Sequence, residues 1–186
     1  MITWLDFLRE AEGYFDDGTG RQRWGKQAAG VLVIAKDTGN VLIVLRSADV
    51  DNWLDDEPYE GQMWGVPGGA IHPEMGQSAE NGVKHELMEE TGYQGMIKLE
   101  KSYIHNNRFL NFIGLVPREF ECKLNWENDE YQWVNFEKLI QGGRQYEGMP
   151  LIDGFPEFLR VAKPRIMQIL AKRPQNPGLQ SRENGV

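Results

Sequence analysis

The sequence predicts a single α/β domain, and three observations lead to this prediction. The chain has 186 residues, a length that suits one domain of ordinary size. Short runs rich in β-branched residues, such as 31–35 and 41–45, predict strands. A periodic stretch over residues 78–91, with apolar positions three and four residues apart, predicts a helix between strands. Both strands and helices are therefore expected within one domain.

The first half of the chain holds mostly strands after a short helix. Trp4, Leu8 and Ala11 form one apolar stripe, and Thr3 is placed to cap that helix. The turn sequence Asp37-Thr38-Gly39-Asn40 between two apolar runs predicts a hairpin. The predicted elements are, in order, a helix at 3–12, a loop at 13–27, strands at 31–35 and 41–45, a long acidic connection at 47–62, and short strand material at 64–71 that is interrupted by Pro67-Gly68-Gly69.

The helix over residues 78–91 has the clearest limits in the second half. Ser78 is a favourable N-cap, and Gly92 is placed to adopt the left-handed conformation that ends helices. The predicted elements that follow are a hairpin of strands 95–103 and 108–116 across His105-Asn106-Asn107, strands at 120–124 and 131–135, a short helix at 136–140, a last helix at 158–172 that can bend at Pro164, and a mobile tail at 173–186. The single cysteine, Cys122, is predicted to be a buried strand thiol.

The charge balance excludes some classes of partner. Aspartate and glutamate number 28 and lysine and arginine 20, so the net charge is −8. Such a chain is not expected to bind nucleic acid non-specifically or to bind anionic lipid, since both require surplus positive charge. A phosphate-bearing small molecule remains compatible if a cation supplies the missing charge. No secretory signal is evident, and the longest apolar stretch, 28–35, is far shorter than the ~20 residues that span a bilayer. We therefore expect a cytoplasmic protein.

Three carboxylates crowd one turn of the helix at 78–91. Glu86, Glu89 and Glu90 stand at i, i+3 and i+4, so they share one side of the helix. Like charges at this spacing cost about 0.2–0.5 kcal/mol per pair, and the last turn of a helix favours cations over anions. A solvated acidic face is the ordinary interpretation of such a run. A functional site is the other interpretation, because local rules tend to be broken where a site requires it.

The context of these glutamates favours a site. The stretch reads WGVPGGAIHPEMGQ over 64–77, SAENGVK over 78–84 and HELMEETGY over 85–93. It resembles the signature of the Nudix hydrolase family (MutT-like), G-x5-E-x7-R-E-U-x-E-E-x-G-U, in which U is a bulky apolar residue. The matching positions are Glu86, Leu87, Glu89, Glu90, Gly92 and Tyr93. The hairpin that ends in Arg46 and the segment ENDEYQWV over 127–134 also fit, so the resemblance covers about residues 28–140.

Three positions depart from the family signature. Its first glutamate is Gln77 here, its arginine is His85, and seven residues instead of five separate Gly69 from Gln77. In the family, that glutamate and arginine pair to hold the loop against the helix. A hydrogen bond between Gln77 and His85 is expected to replace this ion pair with a weaker link, since neutral hydrogen bonds contribute about 0.5–1.5 kcal/mol and charged ones about 1.5–3.

The resemblance implies a fold and a domain organisation. It implies a Nudix-type α/β/α sandwich with a mixed sheet, to which N-terminal and C-terminal helices are added. The expected parts are an N-terminal helix and loop at 1–27, the Nudix domain at 28–172 and the tail at 173–186.

The resemblance also implies an activity and its site. The expected reaction is Mg2+-dependent hydrolysis of the pyrophosphate bond in a nucleoside diphosphate linked to a group X, such as a nucleotide sugar, ADP-ribose or a nucleoside triphosphate, with Mn2+ as a substitute metal. The expected ligands of the metal are Glu86, Glu89, Glu90 and the carbonyl of Gly69. For the general base, Glu89 is the first candidate and Glu127 or Glu130 the distant alternative, with Glu86 also in the catalytic set. Arg46 and Glu130 are the candidates for contacting substrate.

Several alternatives stay open at this point. Glu127 also fits a polar surface turn, and Arg46 fits an ordinary surface residue at a strand end. A nucleotide-binding or regulatory module of the same fold, without catalysis, is the rival function, because Gln77 and His85 depart from the signature. The identity of X depends on loops outside the signature, here 47–62 and 141–155, and either a monomer or a homodimer is compatible with the sequence.

Overall fold

A computed structural model of the protein describes residues 27–48, 62–71, 78–105 and 109–172. The predicted N-terminal helix, most of the acidic connection, the loop that holds His72 and Gln77, and the C-terminal tail lie outside the described residues. Within the described part there are three helices, α1 (Ala79–Thr91), α2 (Phe136–Gln141) and α3 (Phe155–Ala171), and nine strands. The strands are β1 (Gln27–Ala35), β2 (Asn40–Arg46), β3 (Trp64–Gly65), β4 (Gly68–Ile71), β5 (Lys98–His105), β6 (Phe109–Val116), β7 (Asn128–Asn135), β8 (Gln145–Tyr146) and β9 (Met149–Pro150).

Seven of these strands form one mixed sheet. The central order is β3-β2-β1-β6-β5, while β4 pairs with β1 and β7 pairs with β2. Strands β1 and β6 are parallel over their whole length, and the other pairs in this sheet are antiparallel. Strands β1 and β2 pair only next to their turn, at Ile34 and Val41. Further along, β4 takes the place beside β1 and β3 takes the place beside β2, so the sheet opens at that end.

Helices cover both faces of the sheet. On one face, α1 packs through Ala79, Val83 and Leu87 on a buried apolar cluster that includes Val31 and Phe112. On the other face, α2 and α3 pack on a second cluster, whose largest buried side chains are Trp64, Phe136 and Phe158. Alternate residues of each strand supply the two clusters, because successive strand side chains point to opposite faces. This arrangement confirms the predicted α/β/α sandwich with a mixed sheet.

The limits of α1 agree with the prediction. The Ser78 hydroxyl oxygen accepts a hydrogen bond from the backbone N–H of Asn81 at 3.2 Å, and Gly92 ends the helix in the left-handed region with φ of 71°. The backbone N–H of Gly92 donates to the carbonyl of Met88. Both ends are therefore determined by local residues, as the sequence indicated.

The C-terminal helix is also present, with an earlier start than predicted. Helix α3 begins at Phe155, because Pro156 suits the first turn of a helix, and it continues through Pro164. Arg165 fixes this helix to β5 by donating from Nε to Oε1 of Glu100 at 2.6 Å and from Nη2 to Oε2 at 2.7 Å. Among the helices of the described ranges, none has both the length and the apolar character needed to cross a membrane.

Three predicted elements differ from the structure. Residues 120–124 form no strand: Phe120 instead stacks on Tyr93 with ring centroids 4.2 Å apart, and its carbonyl accepts from Nε1 of Trp133. Cys122 is buried, as predicted, but lies in this irregular segment. His105 belongs to β5, where it pairs with Phe109, and not to the turn. The segment 141–155, expected to be a loop, contains the β8–β9 hairpin.

Candidate active site

Four chain segments meet at the open end of the sheet. Strand β4 brings Gly68 and Gly69 beside the start of β1, and α1 packs next to β4. Strand β7 pairs with β2 so that Asn128 lies opposite Arg46, just after an irregularity in the register. The strand pairing therefore brings the glycine pair, the last turns of α1, the end of β2 and the start of β7 to one place.

Glu90 is the most buried carboxylate at the open end of the sheet. Its exposed fraction is 3%, in the last turn of α1. The backbone N–H of Gly68 donates to Glu90 Oε1 at 3.1 Å, and Nδ2 of Asn128 donates to Glu90 Oε2 at 3.0 Å. Each oxygen thus accepts one hydrogen bond from described residues, and a carboxylate has about four lone-pair sites in all. The side chain has acceptor capacity left for a further ligand.

The surroundings of Glu90 disfavour its negative charge. Burial raises the pKa of Glu90 to about 8, because a desolvated carboxylate loses its hydration. The hydrogen bonds from Gly68 and Asn128 oppose this shift, and the negative charges of Glu127 and Glu86 add to it. The structure therefore concentrates acidic groups in a place where, without a cation, one of them is held largely in the protonated form at neutral pH.

Glu86 lies one turn earlier on the same side of α1. Its carboxylate is packed against Gly69: a methyl carbon built on Gly69 would lie 2.5 Å from Glu86 Oε2 and 2.9 Å from Oε1. A side chain at position 69 would therefore displace the Glu86 carboxylate from this position. Gly68 is required for another reason, because a methyl carbon there would lie 2.5 Å from the Cα of Gly30 in the adjacent strand.

Glu127 and Arg46 lie at the edge of the same place, and both side chains are half-buried. The carbonyl of Glu127 accepts from the backbone N–H of Ser47 at 2.8 Å, which ties the segment before β7 to the end of β2. The negative charge of Glu127 acts on Glu90. The structure thus brings together the predicted residues Glu86, Glu90, Gly69, Glu127 and Arg46.

Two predicted site residues, Glu89 and Glu130, are more exposed and have other described partners. Glu89 is half exposed and its Oε1 lies 3.2 Å from Nε2 of His85, which stands four residues earlier on α1. Glu130 is exposed, and its Oε1 accepts from Nε2 of Gln132. The proposed contact between Gln77 and His85 lies outside the described residues, and the described partner of His85 is Glu89. The described contacts of Glu89 and Glu130 are thus with neighbours on their own helix and strand.

Asn128 and Gly68 were not assigned roles from the sequence. Asn128 is buried, with an exposed fraction of 7%, although it lies in a polar run that resembles a turn. Its burial follows from the pairing of β7 with β2, which local sequence does not reveal. Gly68 did have a signal, since it belongs to the Pro67-Gly68-Gly69 segment next to the signature.

The chemistry of the donor set fits an oxygen-seeking divalent cation. The carboxylates of Glu86, Glu90 and Glu127 are hard oxygen ligands, and their crowding is relieved by positive charge. Within residues 27–48, 62–71, 78–105 and 109–172, no three His, Cys, Asp or Glu side chains are arranged to hold a metal ion. Mg2+ does not need such a group, because it keeps several waters and is usually bound through one or two carboxylates.

Comparison with known proteins assigns the chain to a family. The family model described as NUDIX domain matches residues 25–151, which is more than half of the chain. The chain belongs to the Nudix family. It is accordingly a Nudix pyrophosphohydrolase, an enzyme that acts on phosphorus-containing acid anhydrides. Nudix enzymes generally use divalent metal ions such as Mg2+. A search of curated proteins returned no match to the chain.

Solved Nudix structures share the fold of this chain. The Nudix hydrolase RenU from M. smegmatis is 19% identical, with a TM-score of 0.55, over 80% of this chain and 87% of that one. A C. elegans Ap4A hydrolase is 16% identical, with a TM-score of 0.54, over 76% and 99% of the two chains. The NUDIX domain of Shewanella oneidensis NrtR, solved with ADP ribose, is 18% identical, with a TM-score of 0.52, over 88% and 99%. These likenesses support the sandwich fold described above.

Proposed function

We propose that this Nudix enzyme hydrolyses the pyrophosphate bond of a nucleoside diphosphate linked to a group X, and that it depends on Mg2+ or Mn2+. The observation that carries the proposal is the buried carboxylate of Glu90, which is placed beside Glu86 and Glu127. Such a cluster is costly unless a cation offsets its charge. A diphosphate substrate adds more negative charge, so a bound cation serves both the protein and the substrate.

The described residues have two roles in this proposal, which are to bind the cation and to contact phosphate. Glu86, Glu90 and the carbonyl of Gly69 are the proposed ligands of the cation, with Glu89 as a further ligand if its side chain leaves His85. When bound, the cation neutralises the phosphates, orients them and lowers the pKa of a coordinated water. Arg46, at the end of β2 opposite Asn128, is the proposed phosphate contact.

The general base is proposed to be Glu127 in preference to Glu89. Glu127 is half-buried and acts electrostatically on Glu90, whereas Glu89 is half exposed and directed to His85. In this role the carboxylate of Glu127 accepts a proton from the water that attacks phosphorus, and the anhydride P–O bond breaks with departure of a phosphate group. Glu130 is the least supported of the predicted site residues, because its side chain is exposed and bonded to Gln132.

The substrate class is proposed from the chemistry and from the relatives. An Ap4A hydrolase and a NUDIX domain that binds ADP ribose share the fold, so dinucleoside polyphosphates and ADP-ribose belong among the candidate substrates. Nucleotide sugars and nucleoside triphosphates complete the set. The strongly acidic chain favours a small nucleotide with its cation over a nucleic-acid polymer.

The test is a substrate panel with matched variants. We expect turnover of at least one of these nucleotides in the presence of Mg2+ or Mn2+, abolition by a chelator, and a large loss in Glu86→Gln and Glu90→Gln. Glu80→Gln is the matched control, since Glu80 is an acidic residue of the first turn of α1, near Lys101. Unchanged turnover in Glu86→Gln would show that the site is wrong. Nucleotide binding without any product would contradict the proposed reaction.

A further inference from the structure

The buried amide of Asn128 is held against the carboxylate of Glu90. Its Nδ2 donates to Glu90 Oε2 at 3.0 Å, and both side chains are almost fully buried. We propose that Asn128 is a positioning residue that orients Glu90 to bind the divalent cation. This inference rests on the proposed function, because it concerns a ligand of the cation that the reaction requires.

The two donors on Glu90 restrict its carboxylate from both sides. The N–H of Gly68 holds Oε1, and the amide of Asn128 holds Oε2, so the plane of the carboxylate is determined by two contacts from two different strands. A glutamate with a single anchor can rotate about its last torsion, which is broad and roughly two-fold. Without the Asn128 amide, only the N–H of Gly68 would remain of these two donors. The orientation of the Glu90 carboxylate would then be less restricted.

Asn128 is itself well placed to act as a rigid support. It lies at the first position of β7 and pairs with Arg46 of β2, where the register shifts between Leu45 and Arg46. The preceding residue is also tied to β2, because the carbonyl of Glu127 accepts from the N–H of Ser47. Side chains on regular elements keep a geometry more closely than side chains on loops. The amide of Asn128 is thus carried by the sheet, whereas Glu90 is carried by α1.

A purely structural role is the competing interpretation. A buried carboxyl needs hydrogen-bond partners whether or not it binds a cation, and loss of a buried partner destabilises a protein in either case. The two interpretations differ in what they predict for cation binding. Only a positioning role makes the affinity for a cation depend on Asn128, and only when Glu90 can bind that cation.

The experiment measures Mn2+ binding directly, by the electron paramagnetic resonance signal of free Mn2+, on the full chain without substrate. Asn128→Leu keeps the approximate size of the side chain and removes the donor, and Asn128→Ser is a second variant in case the first does not fold. The matched control is Asn111→Leu, because Asn111 is another buried asparagine, on β6 and on the opposite face of the sheet from α1. Thermal unfolding of each variant checks that it is folded.

We expect the dissociation constant for Mn2+ to rise about 10-fold in Asn128→Leu, as is usual when a residue that orients a metal ligand is removed. Asn111→Leu should leave it unchanged. In a Glu90→Gln background, the Asn128→Leu change should have no further effect on Mn2+ binding, since the residue it orients no longer ligates.

Each contrary result has a distinct meaning. Wild-type affinity in Asn128→Leu and Asn128→Ser would overturn the positioning role and leave the proposed function standing. The same would follow from an equal loss in Asn111→Leu, or from a persistent effect of about 10-fold in the Glu90→Gln background. Absence of Mn2+ binding by the wild-type protein would overturn the proposed function and the positioning role together.

Discussion

The carboxylate of Glu86 lies directly against the Cα of Gly69, in the space that a side chain at position 69 would occupy. This contact joins helix α1 to strand β4 and leaves no room for a larger residue between them. At the neighbouring Gly68, the corresponding space is filled by the backbone of Ala29 and Gly30 in β1. The two glycines therefore meet different neighbours, a side-chain carboxylate at position 69 and backbone at position 68.

Alanine at these two positions should separate activity from stability. In Gly69→Ala, the new methyl group displaces a side-chain carboxylate, so we expect a loss of Mg2+-dependent turnover of about 100-fold with a small change in melting temperature. In Gly68→Ala, the methyl group meets backbone that cannot move easily, so we expect a loss of about 1–3 kcal/mol in the free energy of unfolding. Steady-state kinetics and chemical denaturation measure the two effects. Equal destabilisation by both variants would contradict this assignment.

The raised pKa of Glu90 predicts a pH dependence of stability in the metal-free protein. Folding raises this pKa from 4.5 to about 8, so the folded state holds the proton more tightly than the unfolded state does. The contribution of Glu90 to the stability of the folded protein is most favourable below pH 4.5. It falls as the pH rises towards about 8 and changes no further above that. The slope is at most about 1.4 kcal/mol per pH unit.

The measurement is the difference in unfolding free energy between wild type and Glu90→Gln, in a chelator, across this pH range. Since the amide introduced by this substitution does not titrate, the wild type should lose stability relative to the variant as the pH rises. A difference that is flat with pH, or one that grows in favour of the wild type, would show that Glu90 ionises normally in the folded protein.

Divalent cations should stabilise the folded protein. Because a cation offsets the charges of Glu86, Glu90 and Glu127 only when they are gathered by folding, millimolar Mg2+ should raise the melting temperature, and the increase should grow with concentration. Glu86→Gln and Glu90→Gln should reduce the increase, whereas Glu80→Gln should not. A melting temperature that does not respond to Mg2+ would count against the proposed cation site.

The ion pair between Arg165 and Glu100 should make a small contribution to the free energy of unfolding, and its pH dependence should be opposite to that of Glu90. Hydrogen bonding to Arg165 lowers the pKa of Glu100 below 4.5, so its contribution is present above that pH and is lost as the pH falls through the lowered value. Both side chains are partly exposed, so Glu100→Gln should cost less than about 1 kcal/mol at pH 7. Urea denaturation at pH 7 and at pH 3 tests this, and a larger loss at pH 3 would refute it.

The elements that were predicted well are those whose signals are local. Ser78 and Gly92 act on backbone groups within four residues of themselves, so the limits of α1 were readable from the sequence. The segment 120–124 shows the opposite case, since its alternating pattern predicted a strand that does not form. The segment is instead held by tertiary contacts, since Phe120 packs between the rings of Tyr93 and Trp133 and the backbone N–H of Lys123 donates to the carbonyl of Thr91.

The candidate site also has some features that follow from the sequence and others that depend on the tertiary structure. The sequence by itself determined that Glu86, Glu89 and Glu90 share one side of a helix, because the helical repeat of 3.6 residues makes that spacing unavoidable. It also determined the membership in the Nudix family through the signature. Only the tertiary structure decided that Glu90 is buried while Glu89 is half exposed, and that Asn128 meets Glu90. The rotation of α1 about its axis, and the arrival of β7 beside it, are set by packing and strand pairing between residues far apart in the chain, which no local pattern specifies.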